Sequence, residues 1–357
     1  VTGDLPTDAL TGCLLGTAVG DSLGLPYEGV SRRRAAKLFP GPLRHRFVFR
    51  RGMISDDTEH SLFVAQALLA HPESPDAFAK SLAWKLRWWF LGLPAGVGLA
   101  TIRACLKLWL GFPPAKSGVR SAGNGPAMRT ALLGAYFGED EDALRRHVEA
   151  ATIITHRDPR ALTGAMAVAV CAQVGAKSEA SARPDVSTVL ERLKNLAPSD
   201  GEWVSAMDKL SVHLASDRAV LDFADSLSLQ RGVTGYIYHT VPVTIYAWLR
   251  HWGDFRSTLE AVVRCGGDAD TTGAIAGALA GATVGLQGIP AEWLDGIKDW
   301  PRSTELLREV AGSLVGRKGG QSGLGPVGYP WPAVAPRNLF FLAVVLVHGF
   351  RRLLPPY

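Results

Sequence analysis

Two short runs hold most of the oxygen chemistry in this 357-residue sequence: Ser55-Asp56-Asp57-Thr58 and Asp268-Ala269-Asp270-Thr271. Together they offer the carboxylates of Asp56, Asp57, Asp268 and Asp270 and the hydroxyls of Ser55, Thr58 and Thr271. Each run leads into an apolar stretch with helical spacing, so each also reads as an ordinary helix N-cap, and a cap needs only one such oxygen. Hard oxygen donors suit Mg²⁺ or Mn²⁺. If the two runs met, their carboxylates would crowd one cavity, and like charges about 4 Å apart cost about 4 kcal/mol per pair at an effective dielectric near 20. Helix N-termini offset part of that repulsion but cannot neutralise four anions, so a pair of divalent cations is the natural solution.

The elements that would position these residues are helices. Apolar residues recur at three- and four-residue spacing and sustained alternation is hard to find, which predicts an all-α fold. Thr7 is placed to cap a first helix through Leu10, Cys13, Leu14 and Ala18, ended by Gly24 and Pro26. Asp21 falls in its last turn, where the macrodipole disfavours a carboxylate; a solvated Asp or a functional one explains it equally well. A second helix begins at Ser55-Asp56-Asp57-Thr58-Glu59. Further helices are expected at Ala77 to Phe90, Gly96 to Leu110, Ala127 to Phe137, Glu141 to Thr155, Arg160 to Val174, Ser187 to Leu196, Tyr238 to His251 and Phe255 to Cys265, with loops elsewhere. After Asp270 comes a helix with glycines at 273, 277, 281 and 285. That nearly bare face reads as a central core helix packed tightly on a partner, holding the second acidic turn rigid.

Composition narrows the class. With 47% hydrophobic and 20% charged residues the chain is globular. Its net charge of +5 is spread along the length, so stable nucleic-acid binding is not expected. Cys13, Cys105, Cys171 and Cys265 are widely spaced and read as reduced core residues. Residues 1–5 have no signal-peptide pattern, which points to the cytoplasm. Leu339 to Val347 is strongly apolar but shorter than the roughly 20 residues of a membrane span, so it is expected to be a buried terminal helix, with no membrane partner. Residues 1–315 are taken as the catalytic domain and 316–357 as a Gly/Pro-rich connector and helix packed on it.

In order along the chain stand Gly16-Thr17-Ala18-Val19-Gly20-Asp21-Ser22-Leu23-Gly24 with Glu28, Ser55-Asp56-Asp57-Thr58, Gly123-Asn124-Gly125-Pro126-Ala127-Met128-Arg129, Thr155-His156, and Gly266-Gly267-Asp268-Ala269-Asp270-Thr271. This ordered set, over roughly residues 8 to 300, resembles the ADP-ribosylglycohydrolase family, which includes the dinitrogenase reductase-activating glycohydrolases. The resemblance implies a compact helical fold with a binuclear Mg²⁺ or Mn²⁺ cleft. It implies ligands at Ser55, Asp56 and Asp57 and at Asp268, Asp270 and Thr271, and a glutamate near the scissile bond at Glu28. It also implies an ADP-ribose-holding loop at Gly123, Asn124 and Gly125, with His156 at the family's Thr-His position. An ordinary turn and a core histidine are the bland alternatives for the last two.

On that footing the expected reaction is hydrolysis of the bond between ADP-ribose and a protein side chain or small molecule. Glu28 would act as acid/base, Asp57 or Asp270 would hold the water, and the Asn124 loop would present backbone N–H groups to the pyrophosphate. A non-catalytic ADP-ribose-binding or structural member of the family is the alternative. Asp268-Ala269-Asp270-Thr271-Thr272 also fits the haloacid dehalogenase D-x-D-x-T pattern, but lacks the preceding hydrophobic strand. Asp56-Asp57-Thr58-Glu59-His60 lacks the second aspartate of an isoprenoid-synthase D-D-x-x-D clamp.

Overall fold

The computed structural model describes residues 8–355, and among them the chain is all-α: eighteen α-helices and a single antiparallel pair of two-residue strands. The Thr7 cap lies outside the described residues. At the centre, the N-terminal helix Asp8–Gly24 lies along Ala269–Val284. The contact is a seam of glycines from both sides. A Cβ on Gly16 would stand 2.1 Å from the Gly277 carbonyl oxygen, and the same near-contact repeats for Gly12 with Gly281 and Gly20 with Gly273. Backbone therefore lies on backbone. Both helices are buried almost throughout, so the roughly 1 kcal/mol helix-propensity cost of each glycine is offset by packing that any side chain would prevent.

Around this pair sit Asp56–Ala70, Ala131–Phe137, Pro159–Lys177, Ile237–Arg250 and Thr304–Lys318. Nearly every expected helix is present, with ends shifted by a few residues. Arg32–Leu38, Gly201–Ala215, Val220–Ser226 and Thr304–Lys318 are helical where loops were expected. Two of these begin at capping side chains: Asp200 accepts from Glu202 and Trp203 amides, and Ser303 from that of Leu306. The four cysteines are buried and unbridged. Burial raises the Cys13, Cys105 and Cys265 thiols to about 12, which leaves them inert at neutral pH.

The terminal helix corrects the sequence reading. It runs Val334–Arg351, longer than Leu339 to Val347, and the connector before it starts after Lys318. It is not buried. Leu339, Phe340, Leu346 and Phe350 are 50–66% exposed, while Arg337, Asn338, Phe341, Val344, His348 and Arg352 face the protein. With the turn before it, the apolar stretch Trp331–Arg351 covers 21 residues, so length alone does not exclude a membrane.

Candidate active site

The first acidic run forms the N-terminus of Asp56–Ala70. Ser55 caps it by accepting from the Asp57 amide at 3.3 Å, and Asp21 reaches across from the N-terminal helix to accept from the amides of Ser55 (2.8 Å) and Thr58 (3.2 Å) and from the Thr58 hydroxyl (2.5 Å). Asp21 is therefore an intrusive cap, which explains an aspartate in an unfavourable last turn. It is fully buried, and burial lifts its carboxyl to about 6 against the lowering effect of those hydrogen bonds.

The second run starts Ala269–Val284, whose position is set by the strand pair. Val30 and Ser31 pair antiparallel with Gly267 and Gly266, and Gly29 donates to the Gly267 oxygen at 2.7 Å. Gly266 and Gly267 have φ of +68° and +81°, and a Cβ on Gly267 would meet the Val233 oxygen at 2.0 Å. Only glycine fits, and the pairing draws the Glu28 loop beside Asp268.

The two acidic turns meet. Thr271 Oγ1 donates to Asp57 Oδ2 at 3.3 Å, and Ser55 Oγ donates to the same oxygen at 3.2 Å. A cleft of about 330 Å³ is lined by Glu28, Asp56, Asp268, Asp270 and Thr271 together with Gly123, Asn124, Gly125 and His156. Ser55 and Asp57 stand behind that wall. Among the described residues no three His, Cys, Asp or Glu side chains are spaced to enclose one ion. Asp21 Oδ1, Asp57 Oδ1 and Asp270 Oδ1 are nevertheless buried without a hydrogen-bond partner, which is costly for any carboxylate oxygen.

Electrostatics agree. Burial holds Asp56, Asp57 and Asp270 well above the ordinary carboxylate range, and neighbouring carboxylates add to it: Asp21 beside Asp56, Asp56 beside Asp57, Glu28 beside Asp270. Glu28 is raised by burial and then by Asp268, with Arg352 opposing. A cluster of mutually repelling, partly orphaned oxygens at two helix starts is the donor chemistry that a hard cation accepts.

The Asn124 loop, which lines the cleft, is also tied into the protein around it. Its side-chain amide donates to Asp268 Oδ2 (2.6 Å) and Thr240 Oγ1 (3.0 Å), so it orients Asp268. The Gly123 and Asn124 amides donate to Ser121 Oγ (3.3 Å) and the Gly235 oxygen (3.0 Å), and are thus not presented to a pyrophosphate. His156 packs under this loop. A Cβ on Gly123 would meet its Nε2 at 3.0 Å, and burial, then Arg129, lowers it to about 3, so it is neutral. Its Nδ1 pairs with Thr155 Oγ1 at 2.9 Å, and Thr155 Oγ1 accepts from the buried Arg129 at 2.5 Å.

Several supporting residues were not singled out from sequence. Glu59, one turn past the ligand run, is buried with Trp89 Nε1 at 2.5 Å, Arg302 against it and Arg337 at 3.7 Å. Arg337 also donates to the Ile54 oxygen at 2.6 Å, and Arg352 to the Leu25 and Pro26 oxygens at 3.2 and 3.0 Å and to that of Glu28. The terminal helix thereby grips both the Glu28 loop and the Ser55 turn. For the terminal helix the signal was present as arginines flanking an apolar run.

The ADP-ribosylglycohydrolase family profile matches residues 3–323. The chain is 30% identical over 313 residues to an uncharacterised protein of Archaeoglobus fulgidus, covering 85% of this chain and 94% of that one. It is 28% identical to the ADP-ribosyl-[dinitrogen reductase] glycohydrolase of Rhodospirillum rubrum (88% and 98% covered) and 25% identical to ADP-ribosylhydrolase ARH3 of Gallus gallus (81% and 88%). A solved structure described as an ADP-ribosylglycohydrolase-related protein complex superposes with a TM-score of 0.60 at 27% identity, covering 87% of this chain and 97% of that chain. With its ordered motifs, helical fold and converging acidic turns, this chain belongs to the ADP-ribosylglycohydrolase family and is a glycohydrolase.

Proposed function

We propose that this enzyme releases ADP-ribose from a protein side chain or small carrier by hydrolysing the glycosidic bond, with two divalent cations, Mg²⁺ or Mn²⁺, held by Ser55, Asp56 and Asp57 and by Asp268, Asp270 and Thr271. The observation that carries it is the Thr271–Asp57 contact, which joins two sequence-distant helix starts at the wall of one cleft beside orphaned carboxylate oxygens. When bound, the cations supply positive charge and Lewis acidity against this acidic wall.

The residues do the rest. Scission of a ribosyl bond develops positive charge at the anomeric carbon, and a wall of carboxylates stabilises it. Glu28, its carboxyl raised by burial and then by Asp268, is placed to give or take a proton at the scissile oxygen. Asp57 or Asp270 orients the attacking water. Asn124 fixes Asp268, while His156, neutral and packed beneath Gly123 and Gly125, shapes the cleft beside them. The cleft volume lies in the range of small-ligand sites.

The test is release of ADP-ribose from defined conjugates by protein stripped with chelator and then resupplied with Mg²⁺ or Mn²⁺. Activity should vanish and return, and Asp57→Asn and Asp268→Ala should each lose at least about 10²-fold in kcat with unchanged helical circular dichroism. Undiminished release after exhaustive stripping would sink the metal assignment.

A further inference from the structure

The terminal helix Val334–Arg351 is built inside out. Its polar side chains turn inward: Arg337 to Asp299 and Ile54, Asn338 to the Gly92 oxygen, His348 to the Pro26 oxygen, Arg352 to the Glu28 loop. Its outward face carries Leu339, Phe340, Leu342, Leu346, Val347 and Phe350, all exposed, with no polar side chain among them. A helix obeying ordinary solvation has the opposite arrangement. The inward hydrogen bonds fix its rotation, so the apolar face is not a helix awaiting a better fit into its own core.

The charges around it are mostly positive; the exceptions are Asp299, paired with Arg337, and the exposed Glu305, which shares a groove with Phe340. Residues 310–357 contain Arg317, Lys318, Arg337, Arg351 and Arg352 and no Asp or Glu. Beside the helix lies the loop 44–51, RHRFVFRR, packed through Phe47 on His348 with ring centroids 5.2 Å apart. Its tip sets Phe49, 92% exposed and at φ +54°, next to the exposed Arg50 and Arg51. At the other end Trp331 leans on Trp88 at 5.8 Å, both partly exposed. Apolar side chains bordered by arginine and tryptophan match the headgroup–acyl boundary of an anionic bilayer. A protein partner would equally cover the apolar face, but the exposed Arg44, Arg50 and Arg51 beside the exposed Phe49 favour an anionic lipid surface.

We propose that this helix and the Phe49 loop form a membrane-surface docking site, the helix lying in the plane of an anionic bilayer with its apolar face immersed. It does not span, because Arg337, His348 and Arg352 hold its other face on the protein. The proposal is independent of the metal reading: it uses none of the proposed ligands, and its helix lies beyond the family-matched residues 3–323.

The test is sedimentation of the purified full chain with phosphatidylcholine vesicles, with and without phosphatidylglycerol. Binding should be stronger with phosphatidylglycerol and weaken with salt. F340E/L346E should weaken it by about tenfold or more, and R50E/R51E should erase the preference for phosphatidylglycerol. F340E/L346E should leave ADP-ribose release in vesicle-free buffer unchanged and, since it adds charge to a surface, should stay folded by circular dichroism. Failure to bind either vesicle, indifference to phosphatidylglycerol, or undiminished binding of F340E/L346E each overturns the proposal. So does a dimer in solution that F340E/L346E splits while vesicles are ignored, which would make a second copy the occupant.

Discussion

Asp57 carries more of the site than any other side chain. One of its oxygens accepts from Ser55 and Thr271, tying the two turns together, and the other is buried without a partner. Its neighbours share the consequence of that crowding. With its carboxyl pKa raised above that of the unfolded chain, Asp21 contributes stability that is full below about pH 4 and is lost as pH rises through about 6, and the raised Asp57 and Asp270 act in the same direction. Cation binding runs the other way, because it requires the ionised carboxylates. Saturating Mg²⁺ or Mn²⁺ should therefore raise Tm more at about pH 7.5 than at about pH 5. Equal shifts at both would contradict the ligand assignment. At Glu28 the raised pKa suits proton transfer, and Glu28→Gln should lower kcat by about 10²–10⁴-fold with little change in KM. A KM effect alone would make it a binding residue.

At the scale of elements, the glycine seam decides where the second acidic turn can sit. Gly16→Ala would drive a Cβ into the Gly277 oxygen, backbone against backbone, and should cost about 1–3 kcal/mol or more, lowering Tm by about 3–10 °C. Gly312→Ala, in the helix Thr304–Lys318 with nothing within 4 Å of the new Cβ, should instead be neutral or stabilising by up to about 1 kcal/mol in the same thermal melt. Equal losses in both would show that the seam is not special. The bare face of Ala269–Val284 was legible from its four-residue spacing. Its partner was not, because the N-terminal helix was read by its apolar positions and its motif, and the equally spaced Gly12, Gly16, Gly20 and Gly24 were not read as a packing face. The terminal helix misled for a related reason: periodicity identifies an apolar face but cannot say that hydrogen bonds from Arg337, Asn338 and Arg352 will turn the polar face inward.

At the scale of the molecule, the site depends on long-range geometry that local patterns do not contain. The acidic turns were recognisable by residue type, yet their meeting rests on Asp21 capping from another helix and on the Val30–Gly267 strand pair, neither of which spacing predicts. The Asn124 loop was likewise found by its glycines, while its commitment to Asp268 needed Thr240 and Gly235 from a distant segment.

The glycine seam also sets an order for biosynthesis. It joins Asp8–Gly24 to Ala269–Val284, which leaves the ribosome long after it, so a nascent chain carries an apolar, side-chain-poor helix without its partner until residues 269–284 emerge. Until then the Ser55 turn waits without its counterpart, and a prematurely released chain would be both incapable of hydrolysis and a client for chaperones.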